Sequence, residues 1–212
     1  MTPCKLDMMR VCMQKSTSSQ LTGAAYAAYS AALLFALHLL TYFIPVIRDA
    51  TFATSASLAG TLAFLAVVQH LVVFPVVATL PAPRWAKVAA YVWLVVDMCT
   101  DILQFGGVSK AIYLVLRLAV NLLAALWIAS ASWPISRAIR YVGVFVALDF
   151  ACYSFVALLS PLSFLVALPS LVLLPVWFGL VGRLLAHREK HRLDPAEKSS
   201  RQATALGQGK DR

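Results

Sequence analysis

Charge is what this chain has least of. Only 13% of its 212 residues are Asp, Glu, Lys or Arg, and the acidic ones number nine. A soluble domain is about 25% charged and about 45–50% apolar; here the apolar share is 61% and the mean hydropathy +0.79. The hydrophilic loops between the apolar segments are too short to form a catalytic head. There is no GxSxG, no HxxxD and no Gly-rich phosphate loop, so nucleophilic and phosphate chemistry lack a signature. The four cysteines, Cys4, Cys12, Cys99 and Cys152, form no CxxC and no zinc spacing. Cys99 and Cys152 read as small apolar filler. No enzyme activity and no cofactor are expected.

What is present is apolar sequence in long blocks. No Lys, Arg, Asp or Glu occurs from Ser16 to Ile47, from Ala50 to Pro83, or from Phe150 to Gly182. Each block exceeds the ~20 residues that cross a hydrocarbon layer. Backbone polar groups in lipid must be satisfied within the segment, so such runs predict helices rather than barrel strands. The expected fold is all-α: a polytopic membrane protein, a bundle of six transmembrane helices with both termini cytoplasmic.

Residues 1–20 read as a polar, basic cytoplasmic segment, and the apolar run that follows is too long for a signal-peptide core. The six helices are expected over about 21–47, 51–80, 84–105, 109–132, 136–159 and 162–186, followed by a disordered basic tail over 187–212. In the second segment Ala53, Ser57 and Thr61, with Ala56 and Gly60, make a small-residue stripe that would let a neighbour approach. Pro75 is expected to kink that segment, and Pro81-Ala82-Pro83 to stop it. Pro169 and Pro175 suggest a bent sixth helix. Trp85, Trp127 and Trp133 resemble an interfacial aromatic belt.

Orientation follows from the basic residues. Fifteen of the 18 Lys and Arg fall on the side of the termini, two on the other, and Arg117 lies within a helix. The positive-inside rule makes the richer side cytoplasmic. It also accounts for the net charge of +9 without nucleic acid, for which no binding motif is present. The expected partners are the bilayer, anionic headgroups near the basic tail, and a small-molecule or ion substrate. A bacterial inner membrane fits the size and simplicity of the chain.

The candidate site is the polar set inside the apolar segments: His38, Gln69, His70, Asp97, Asp101, Gln104, Arg117, Asn121, Asp149 and Tyr153. A charge at the bilayer centre costs about 2.5–3.5 kcal/mol on insertion scales, so it persists only with a partner or trapped water. Asp97 and Asp101 share a helix face at i and i+4, and Arg117 and Asn121 share one on the next helix. The Gly106-Gly107-Val108-Ser109 turn brings Asp101 and Arg117 to similar depths, which predicts an ion pair. One arginine for three acids leaves at least one carboxyl without a basic partner. Asp97 and Asp149 each lie thirteen residues from the start of their helix, Arg84 and Ser136, so a shared level is expected. His38 is placed in the outer half and His70 in the inner half. Neither belongs to an HxxxH pair, and no metal site is expected in the chain.

Two functions fit this pattern. One is a small transporter or proton-coupled carrier using the Asp/Arg site. The other is a non-catalytic scaffold or regulatory subunit in which the same charges hold helices together.

Overall fold

The computed structural model describes residues 3–43, 56–106, 108–157 and 164–208; side chains are described over 19–40, 61, 63–103, 106, 108–109, 111–157, 166 and 168–191. Within these residues the chain is helical, with no strand. The helices are α1 (Pro3–Phe43), α2 (Ala56–Leu71), α3 (Phe74–Thr79), α4 (Arg84–Phe105), α5 (Lys110–Ser132), α6 (Arg137–Val156) and α7 (Phe164–Gln208). Taking α2 and α3 as two halves of one segment gives the six expected.

Among the described residues four stretches are long and apolar enough to cross a membrane: Ser19–Leu40, Ala111–Ser132, Arg137–Val156 and Leu168–His191. α4 has the length, but Arg84, Lys87, Asp97 and Asp101 reduce its hydropathy. Large apolar side chains also cover the outside of the bundle, among them Leu33, Phe64, Val88, Val115, Leu148 and Phe155. An apolar surface of this extent needs something apolar against it, and both features fit a membrane protein.

Neighbouring helices make a closed ring. α1 touches α2 and α3; these touch α4; then α4–α5, α5–α6 and α6–α7 follow in chain order, and α7 returns to α1. The α1–α7 contact is built on small residues. Ala24, Ala25, Ala28 and Ala31 are buried on α1, opposite Leu174, Phe178, Val181 and Leu185 at helical spacing on α7. Small side chains let two backbones approach, which is how helices gain packing without a hydrophobic drive.

The centre is filled by aromatic rings. Trp93, Trp127 and Trp177 stand in sequence with centroids 5.9 and 5.5 Å apart, and the line runs on through Phe178 to Phe35 at 4.9 and 5.3 Å. The indole N–H of Trp177 on α7 donates to Ser132 Oγ at the end of α5 at 2.9 Å. That bond passes α6 at Gly143. A Cβ there would lie 2.0 Å from Ser132 Oγ and 2.7 Å from Trp177 Nε1.

Several expectations change. The second segment is broken rather than kinked: α2 ends at Leu71, α3 begins at Phe74, and Pro75 sits in the first turn of α3. Proline has no N–H to give and is favoured in a first turn, so the break falls just before it. Trp127 is fully buried in the core, whereas Trp85 and Trp133 stay exposed as a belt requires. The reason is the face each occupies: Trp127 lies on the α5 stripe of Val120, Ala124, Ile128 and Ala131 that packs inward. Cys99 and Cys152 are exposed, so they fill no core. Thr61, at one end of the small-residue stripe, is exposed. Ala53 and the side chains of Ala56, Ser57 and Gly60 lie outside the described residues.

At the ends, α1 already begins at Pro3, and α7 runs on to Gln208 where disorder is expected over 187–212. Ala, Glu, Lys, Arg and Gln dominate that stretch and are good helix formers. A helix already nucleated by its buried part extends at little cost.

Candidate functional site

The site grows from the break between α2 and α3. His70 is the next-to-last residue of α2, and its carbonyl accepts the N–H of Val73 at 3.1 Å in a tightened last turn. This places the imidazole against the middle of α4. Asp97 and Asp101, one turn apart, present their carboxyls there, and both are buried. Arg117 comes from α5, its side chain 25% exposed.

Arg117 Nη1 donates to Asp101 Oδ1 at 2.7 Å, the ion pair anticipated across the Gly106 turn. The same nitrogen lies 3.5 Å from Asp97 Oδ1. Asp97 Oδ2 accepts the indole N–H of Trp93 at 2.8 Å and lies 3.1 Å from His70 Nε2. Thr100 Oγ1 donates to the Asp97 carbonyl at 2.7 Å. Asp97 therefore has three partners, and the search for an acid without a basic neighbour does not end on it. Its partners were not legible: His70 lies 27 positions away on a different helix.

Proton bookkeeping at His70 is constrained by its contacts. Nδ1 is 2.7 Å from the Ala66 carbonyl. A carbonyl only accepts, so Nδ1 carries a proton. Nε2 faces a carboxyl oxygen, and two lone pairs at 3.1 Å do not attract. The contact therefore needs a second proton, held as imidazolium or as the Asp97 acid. Charge counting agrees. Two carboxylates and one guanidinium sum to one negative charge, and a single extra proton makes the buried cluster neutral.

The remaining candidates fall into three groups. His38 on α1 is within electrostatic reach of Arg117 and His70. Gln69 is buried beside His70 in sequence, with no hydrogen-bond partner for Oε1. Asn121 is half-buried one turn beyond Arg117.

Asp149 is not brought to this cluster. Its Oδ2 accepts the backbone N–H of Ser170 at 2.9 Å, at the α6–α7 contact on another part of the ring. The shared level expected of Asp97 and Asp149 does not put them in one site, because depth alone says nothing about which helix face a residue occupies. Tyr153 is half-buried one turn beyond Asp149. The side chain of Gln104 lies outside the described residues. Among those residues no group of three or more His, Cys, Asp and Glu side chains is arranged to hold a metal.

Comparison of the chain with family models, with curated proteins and with solved structures finds no match.

Proposed function

We propose that this protein is a small proton-coupled carrier of the membrane, with the His70–Asp97–Asp101–Arg117 cluster as its proton-handling site. One observation carries the reading: the His70–Asp97 contact requires a proton beyond those of a neutral imidazole and an ionised acid. A group that holds an extra proton within the bundle, next to a helix break, has the parts of a coupling site. Interrupted helices near the midplane are where carriers commonly place their ion and substrate contacts. The proposed setting is a bacterial inner membrane, with six crossings, cytoplasmic termini, and a basic tail facing anionic headgroups. No chemical transformation is proposed, and the substrate would be a small molecule or ion.

The test is a pH jump on the reconstituted protein, with capacitive current as readout. Wild type should displace charge after a jump from about pH 8 to about pH 5. Asp97→Asn should abolish the current while the protein stays folded. No current from wild type would remove the carrier reading.

A second reading is favoured by the Asp101–Arg117 and Asp149–Ser170 contacts, each of which ties two neighbouring helices. In it the protein is a scaffold or regulatory subunit and its charges are helix glue. Infrared difference spectra that show no titrating carboxyl or imidazole signal would select it.

A further inference from the structure

The polar end of α7 carries a second histidine cluster, unrelated to the first. His187 and His191 are one turn apart in the sequence His187-Arg188-Glu189-Lys190-His191, the HxxxH pattern that His38 and His70 lack. Their Nε2 atoms converge to 3.0 Å, with ring centroids 4.3 Å apart and planes at 87°. Both rings are exposed, and with Leu21 and Arg188 they line a cleft of about 520 Å³. Glu189, on the turn between them, is bonded to Thr22 of α1, which fixes this turn against its neighbour.

We propose that His187 and His191 form a chelating site for a divalent first-row transition metal, with copper(II) bound most tightly. Imidazole nitrogens bind such metals at about 2.0–2.1 Å. Two nitrogens 3.0 Å apart then subtend ~94° at the metal. That is close to the right angle between adjacent ligands of a tetragonal site, the geometry of Cu(II) and Ni(II), and below the tetrahedral angle that Zn(II) takes in structural sites. Without metal, one Nε2–H donates to the other Nε2. On binding, the donor ring's proton passes from Nε2 to Nδ1 by exchange with water, so both Nε2 lone pairs go to the metal and each ring carries its single proton on Nδ1. No net proton is released from the neutral pair.

The surroundings select the ion. Arg183, Arg188 and Lys190 place positive charge nearby, which disfavours hard cations that depend on anionic oxygen ligands. A neutral nitrogen pair still binds the metals at the top of the Irving–Williams order. The cleft leaves room for water to complete the shell.

The experiment uses the full chain, purified in detergent without a polyhistidine tag, stripped with chelator and titrated with Cu²⁺ alone. Wild type should bind one Cu²⁺ per chain, with an electron paramagnetic resonance spectrum split by two nitrogens. His187→Gln and His191→Gln should each weaken binding by at least about tenfold, since losing only a ligand's outer hydrogen bond can cost that much. Circular dichroism should be unchanged in both, because these rings are exposed. Absence of saturable binding, sulfur rather than nitrogen ligation, or full binding by the double variant would overturn the site.

Discussion

Trp177 and Ser132 are hydrogen-bonded at 2.9 Å, joining α7 and α5 across α6, the helix on which both chiefly pack. The contact exists because α6 has Gly143 at the crossing point.

Gly143→Ala should therefore be damaging. Its new methyl would meet Ser132 Oγ and the Trp177 indole well inside contact distance, and overpacking of this kind costs about 1–3 kcal/mol. Gly179→Ala is the control. A Cβ there meets nothing within 4 Å, so its melting temperature should hold or rise slightly. Thermal unfolding in detergent compares the two. Equal melting temperatures would mean that α6 and α7 pack differently.

Arg117→Leu should destabilise the fold by about 3 kcal/mol, because it leaves Asp101 and Asp97 buried without their shared cation. The double change Arg117→Leu with Asp101→Leu should recover much of this. Asp97 still has Trp93 and His70 in the double variant. Chemical unfolding of the single and double variants provides the comparison, and equal losses in both would show that the pair contributes nothing.

Asp149 is expected to be structural. Asp149→Asn keeps an acceptor for the Ser170 N–H and should be close to neutral. Asp149→Leu removes the acceptor and should cost about 1 kcal/mol. Neither should alter the pH-jump current that Asp97→Asn abolishes. A current lost in Asp149→Asn would place the proton pathway on the other side of the bundle.

Orientation can be read by reporter fusions. Fusions after Lys15, in the loop at Pro81, near Arg137 and at the C-terminus should report cytoplasm. Those near Asp49, Lys110 and Ser160 should report the opposite side. A reproducible inversion at one site would change the number of crossings.

The segments themselves are legible because uninterrupted apolar runs constrain the backbone strongly, and α4 and α5 match their expected spans to within one residue. The Asp101–Arg117 pair is legible as well, since a tight turn fixes the relative depth of two adjacent helices. His70 is not, because its partnership with Asp97 depends on how a third helix docks and where it breaks. Trp127 and Asp149 mislead for a related reason. Sequence spacing gives depth along a helix, while rotation about the helix axis comes from packing. The His187–His191 pair is written plainly in the sequence, but in a stretch expected to be disordered, where i and i+4 have no geometric meaning.

The α1–α7 contact has a consequence for biogenesis. α1 is synthesised well before α7, so it finds its main partner only when α7 arrives. Until then its inward face waits in lipid or beside another protein. Ala24, Ala25, Ala28 and Ala31 make that wait inexpensive, since a strip of methyl groups offers little for a wrong partner to grip. Once α7 is inserted, the same strip closes the ring, so assembly of the bundle is committed only after α7 has been made.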